Sequence, residues 1–196
     1  LDLTPQGFHA LIFTTQGMIF IDPLLKGDRT HYVSYHKSDY LPRDGDEFTE
    51  IEVKVLADEL GIDLPKPASP QVSSGSQLRT YKLALSATGE YTIYHGGTVE
   101  AGLAAQVTAM NRVNGIYETE LALRMELIWN NDTLVFTDPD KDPYDNLNPD
   151  ALLDQNQEYL DDKIGTANYD IGHVFSTGGG GLAGLAVVCK QNTKAW

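Results

Sequence analysis

The stretch that decides the fold is Thr98–Leu127, TVEAGLAAQVTAMNRVNGIYETELALRMEL. Its first part places Val99, Leu103, Val107, Met110, Val113 and Tyr117 three or four residues apart, the spacing that puts side chains on one face of a helix. Thr98 stands where a hydroxyl can accept from the first free amides, so the helix begins there. Gly102 and Gly115 are weak helix formers inside it. The period then changes: Leu121, Leu123, Met125 and Leu127 alternate with Ala122, Arg124 and Glu126, which predicts a strand with one buried face.

Working outward, Tyr81-Lys-Leu-Ala-Leu-Ser86 reads as a strand before the helix, and Leu134-Val-Phe136 as an extension of the same sheet. Asn148 followed by Pro149 starts a second helix, whose stripe is Leu152, Leu153, Tyr159, Leu160 and Ile164 and which Gly165 ends. Ile171–Phe175 and Leu182–Cys189 are two further apolar runs, read as strands around a glycine-rich turn. Strand, helix, strand, helix, strand, strand predicts an α/β fold: a twisted mixed sheet with flanking helices and at least one antiparallel edge pair.

Toward the N-terminus the pattern is different. Phe8–Phe13 and Met18–Pro23 flank a turn at Thr14-Thr-Gln-Gly17 and read as a β-hairpin, with Tyr32–His36 as a further strand. The chain turns acidic over Leu41–Glu59, and Leu64–Gln77 is rich in Pro, Ser and Gly without any period. It reads as a linker. The division is therefore a small β-rich part over 1–64, a linker over 65–78 that offers an exposed cutting site, and an α/β part over 79–196.

Lys and Arg total 14 against 28 Asp and Glu, a formal net charge of -14. Such a surface repels nucleic acid and anionic membranes, and both are set aside as partners. No apolar run approaches the roughly 20 residues that span a bilayer, so this chain holds no membrane segment. Cys189 is the single cysteine. It excludes an internal disulfide and any CxxC site, and leaves a buried thiol or half of a bridge to something outside the chain.

The motifs that suggest chemistry each fail at a required position. Gly178–Gly181 lead into Leu182-Ala-Gly-Leu-Ala-Val-Val188 and not into Gly-Lys-Ser/Thr and a helix, so a phosphate loop is rejected in favour of a turn. Asp138-Pro-Asp-Lys-Asp-Pro-Tyr-Asp145 imitates a calcium loop, but Pro143 and Pro149 occupy the places of the required Gly and Glu. His9, His31, His36, His95 and His173 include no pair at i, i+4 with an intervening Glu, and His173 reads as a structural histidine. Gly-x-Ser-x-Gly does not occur. Taken alone, these motifs assign no enzyme activity.

Four segments in order carry a family resemblance: Arg79-Thr-Tyr-Lys-Leu-Ala-Leu85, Val107-Thr-Ala-Met-Asn-Arg-Val-Asn-Gly-Ile-Tyr117, Leu121–Leu127, and Tyr169-Asp-Ile-Gly-His-Val-Phe-Ser-Thr-Gly178 running into Gly184-Leu-Ala-Val-Val-Cys189. Over Arg79–Cys189 the chain resembles the amino-terminal subdomain of reprolysin-like, adamalysin-type metzincin zinc proteases, nearest to their bacterial relatives. The resemblance implies that 1–64 is the end of a propeptide and that the full protein is a secreted, extracellular zymogen acting on protein or peptide substrates. It implies that Leu182, Ala183, Gly184, Leu185 and Ala186 form an edge strand at the cleft rim, to which an extended substrate adds by backbone pairing.

The family's chemistry implies zinc held by three imidazoles of a His-Glu-x-x-His helix and a later His, with the Glu as base. None of these residues occurs here, so their place is expected beyond Trp196 and the fragment itself is expected to be inactive. Cys189 matches a family cysteine that bridges to the missing half. Asp170 matches a calcium ligand of some relatives, but Lys82 stands where they carry Glu, which argues against calcium. Residues 1–78 contain no cysteine for a thiolate latch, so the inhibitory partner role of the propeptide needs another group or a segment laid along the rim. The alternative function is a non-catalytic module that binds extended peptides or serves surface adhesion.

Overall fold

The computed structural model describes residues 1–40, 77–179 and 181–196. The 64/65 boundary and nearly all of the predicted linker lie outside the described residues.

Four antiparallel strands form an N-terminal meander: β1 (Asp2–Thr4), β2 (Gly7–Thr14), β3 (Gly17–Pro23) and β4 (Tyr32–His36), in the order β1-β2-β3-β4. The predicted hairpin is β2–β3, with Thr14 opposite Gly17 and Ala10 opposite Ile21. Gly17 closes it at φ +119°, a conformation that an L side chain rarely adopts.

The second sheet is parallel, in the order β6-β5-β7, from β5 (Arg79–Ala87), β6 (Leu123–Leu127) and β7 (Ile171–Phe175). Three helices connect and cover it: α1 (Gly89–Tyr94), α2 (Val99–Leu121) and α3 (Pro149–Lys163). Thr98 and Asn148 are the N-caps, accepting from the amides of Ala101 and Ala151 as the sequence predicts. The central strand β5 sorts its side chains by parity. Leu83 and Leu85 join Met110 of α2 in one core cluster. Ala84 points the other way, into a cluster with Leu134, Leu160 of α3 and Tyr169. The layers are therefore meander, α2, parallel sheet and α3.

The helix predicted from Thr98 forms, but its buried face is only in part the apolar stripe, which contributes Met110 and Val113 to the core. Gly102, Ala104, Ala105, Gln106, Met110 and Asn114 are buried, while Val99 and Tyr117 are exposed. The reason is polar docking: Gln106 Nε2 donates to the Leu85 carbonyl at 2.9 Å, and the Asn114 side chain exchanges two hydrogen bonds with the Met125 backbone at 2.7 and 2.9 Å. Polar residues that satisfy strand backbone groups sit inside, and the pattern of hydrophobicity cannot distinguish them from surface ones. Leu121 belongs to the end of α2, so the strand starts two residues later than its alternation suggests.

Beyond Leu83 the β6 side of β5 is not a strand. Ile128 N donates to Leu83 O at 3.0 Å, a 3-10 turn (Asn131–Leu134) follows, and the chain returns only as an isolated bridge from Val135 to Ala87. The extension predicted at Leu134–Phe136 is thus one bridge. Between these points the Asn131 side chain takes the place of a strand at Leu85.

The strand predicted at Leu182–Cys189, with its rim portion Leu182–Ala186, does not form. Its residues run through turns, with Ala186 at φ 58° and Cys189 at φ 61°. Two left-handed residues break an extended ladder. The free edge of β7 is instead crossed by the end of the chain, since Gly172 N donates to Lys194 O at 2.8 Å and Cys189 N to Asp170 O at 3.0 Å. The buried Lys194 ammonium fixes this crossing by donating to the Thr166 and Tyr169 carbonyls, 4.0 Å above the Tyr169 ring centre. Among the described residues the antiparallel edge pair expected of this sheet is absent. Antiparallel pairing is found in the meander.

Candidate substrate-binding rim

The C-terminal ends of parallel strands gather functional loops, and here one buried side chain organises them. Asn146, 7% exposed, accepts from Thr88 Oγ1 at 2.8 Å and from Thr177 N at 3.0 Å, and donates to Thr177 Oγ1 at 2.8 Å. Thr88 also donates its amide to Phe175 O at 3.0 Å and caps α1. The ends of β5 and β7 and the loop before α3 are thereby held as one unit. Gly178 is required by it, because a Cβ there would lie 2.8 Å from Asn146 O. No sequence motif marks Asn146, which stands two residues before the Asn148 cap and is a positioning residue.

Past Gly178 the chain borders a crevice of about 280 Å³. Its walls include Leu147, Leu152, Phe175 and Leu182 together with Asn146, Ser176 and His173, so it joins apolar side chains to polar groups and one imidazole. His173 lies edge-on to Phe175 at 5.5 Å. One side of it meets solvent, yet the protein atoms around it keep its pKa below the usual histidine value by desolvation. It therefore presents a neutral ring at physiological pH. Of the five predicted rim residues, Leu182 lines this crevice. Ala183, Gly184, Leu185 and Ala186 follow it as a segment that turns at Leu185–Ala186 and joins no sheet among the described residues.

Such a surface can hold an apolar side chain and pair with an extended backbone. It has no bond-breaking apparatus among the described residues. No group of three or more His, Cys, Asp or Glu is placed to hold a metal ion among the described residues. The histidines are scattered: His9 bonds Asp22 at 2.8 Å, His31 bonds Asp28 at 3.0 Å, His95 packs on Tyr91 and Tyr94, and His173 sits on β7. The described residues therefore do not fit a zinc centre.

The Asp138 loop is held by its own bonds and by the start of α1: Asp138 accepts from Lys141 at 2.5 Å and from Asp140 N at 3.1 Å, and Asp142 accepts from Gly89 N at 2.6 Å. The Asp170 carboxylate accepts from Lys82 N at 2.8 Å and so ties β7 to β5. Cys189 is an exposed free thiol, which removes the buried-thiol reading.

Residues 103–195 match the family described as Metallo-peptidase family M12B Reprolysin-like. The match runs from α2 through β6, the Asn131 turn, α3 and β7 to the crossing segment, and covers just under half of the chain. No curated protein matches this chain. The matched part is similar to metallopeptidases, which supports a hydrolase of the peptidase kind at the level of the family, and zinc as that family's metal.

Proposed function

We propose that these residues are part of a secreted zinc-dependent metalloendopeptidase of bacterial reprolysin type, made as a zymogen. Residues 1–64 are the C-terminal part of its propeptide and 79–196 the N-terminal half of its catalytic domain, with processing in 65–78. The observation that carries this reading is the family match over 103–195, which spans two helices and two strands of a parallel sheet. The zinc ligands and the general base come, in this reading, from residues outside these 196, because the sequence contains no His-Glu-x-x-His.

The part played by this half is substrate positioning. Leu182–Ala186 offer backbone donors and acceptors to an extended protein or peptide substrate, and the adjoining crevice receives an apolar side chain. Their turn-rich conformation implies that they become extended only when a partner strand is present, so binding includes an ordering cost.

The test is to express the protein from the complete coding sequence and to measure its zinc content and its hydrolysis of an unfolded protein. One zinc per chain and hydrolysis abolished by a chelator are expected. A complete protein that binds no zinc sinks the reading and leaves a peptide-binding or adhesion module.

A further inference from the structure

The meander is not an independent appendage: it is seated on the outer faces of α1 and α2 by polar anchors. Gln6 Nε2 donates to the carbonyls of His95 and Ala101 at 2.8 and 3.0 Å. Thr108 Oγ1 donates to Asp2 Oδ1 at 2.8 Å. Asp22 is the hub, accepting from His9 Nδ1 and Tyr35 Oη at 2.8 Å each and from Arg112 of α2. Phe13 reaches α2 at Gly115, where a Cβ would come within 3.3 Å of its ring.

The edge of this interface carries a second cation. Lys26, from the β3–β4 connection, sits 4.1 Å above the Tyr94 ring centre, and His95 packs against Tyr94 and Tyr91 at 5.0 and 4.4 Å. The groups that face His95 are thus Lys26 and Gln6 from the meander and Tyr91 and Tyr94 from its own helix. Its ring makes no hydrogen bond among the described residues, and no carboxylate there is paired with it. A proton on His95 would create a cation beside Lys26 with no carboxylate among the described residues to balance it.

We propose that α1 and α2 form a docking surface for residues 1–40 that stays closed after the intervening chain is cut, and that protonation of His95 opens it. The inference does not depend on the peptidase reading, because it concerns only the association of two parts of this chain.

The linkage has a definite sign. In the docked state burial, with Lys26 adding to it, pulls the His95 pKa down to about 4. Release removes the charge of Lys26, so its pKa rises back toward the usual histidine value. Released protein then binds more protons than docked protein between these values, and docking weakens as pH falls from 6.5 toward 4. If the whole shift were relieved, affinity at pH 4.5 would drop roughly 80-fold. Tyr91 and Tyr94 stay on the ring after release, so this is the ceiling and a several-fold drop is expected. Asp22 does not supply this effect. Burial works to raise its pKa, but hydrogen bonds from His9 and Tyr35 and the charge of Arg112 hold it below the usual carboxylate range, and it remains ionised at pH 4.5.

The experiment uses the full chain with a specific protease site placed between Pro65 and Leu78. After cutting, association of the two pieces is measured by sedimentation at pH 7.5 and 4.5. Co-migration at pH 7.5 and an affinity several-fold lower at pH 4.5 are expected, with His95→Gln abolishing most of the pH dependence. Arg112→Ala should lower affinity at both pH values by a similar factor. Separation at pH 7.5, an unchanged affinity at pH 4.5, or the same decline in the His95→Gln variant would each overturn the proposal.

Discussion

Asn131→Leu should be among the most destabilising single changes in this molecule, although it replaces a polar residue by an apolar one of similar size. Asn131 is 3% exposed. Its Oδ1 accepts from Leu85 N at 2.8 Å, and its Nδ2 donates to Leu85 O and to Gln106 Oε1, both at 3.0 Å. Leucine leaves the Leu85 amide and the Gln106 oxygen without partners in a dry core, whereas Leu85 O keeps its bond from Gln106 Nε2 at 2.9 Å. Two orphaned buried groups at about 1–3 kcal/mol each give about 2–6 kcal/mol, against which the added apolar burial returns about 1 kcal/mol. A net loss of about 1–5 kcal/mol is a large part of a typical domain's stability. Urea unfolding followed by far-ultraviolet circular dichroism measures it. Asn131→Leu combined with Gln106→Leu must fall short of or exceed the sum of the singles, because both side chains share Leu85 O. A loss under 0.5 kcal/mol, with strict additivity, would refute the claim that side chains replace a strand at this edge.

Two other outcomes follow from the packing. A Cβ on Gly172 would stand 2.4 Å from Ala195 Cβ and 2.6 Å from Leu160 Cδ1, so Gly172→Ala should lower the thermal midpoint by an overpacking cost of about 1–3 kcal/mol; an unchanged midpoint would mean that the crossing segment does not lie on β7. Arg112→Ala leaves the half-buried Asp22 without its cation and should cost about 1–3 kcal/mol, between exposed and buried pairs. Hydrogen exchange reads this locally: faster exchange in β2 and β3 with β5 unchanged is expected, and uniform acceleration in both sheets would contradict a local latch.

The elements that local chemistry controls were legible in the sequence. Thr98 and Asn148 with Pro149 cap their helices where they stand, and Gly17 closes the β2–β3 hairpin, because a cap or a turn is decided within a few residues. The alternation in Leu123–Leu127 and the apolar run Ile171–Phe175 gave the strands, and the order of elements gave the α/β class. The similarity to reprolysin-like proteases could also be read from ordered segments, and the three of them after residue 103 fall within the family match.

What the tertiary structure decided is which groups meet. Gln106, Asn114, Asn131 and Asn146 read as surface residues by hydrophobicity, yet each is buried because a distant backbone or side-chain group offers it a hydrogen bond. The packing of the meander on α2, through Asp22 and Arg112, joins residues 90 positions apart and leaves no local signal. Leu182–Ala186 shows the converse: an apolar run has strand propensity, but a strand exists only where a partner edge is open, and the Lys194 crossing occupies that of β7. Caps, turns and periods are short-range and fixed by sequence, whereas burial of a polar group and pairing of an edge depend on a second surface that only the folded chain brings into place.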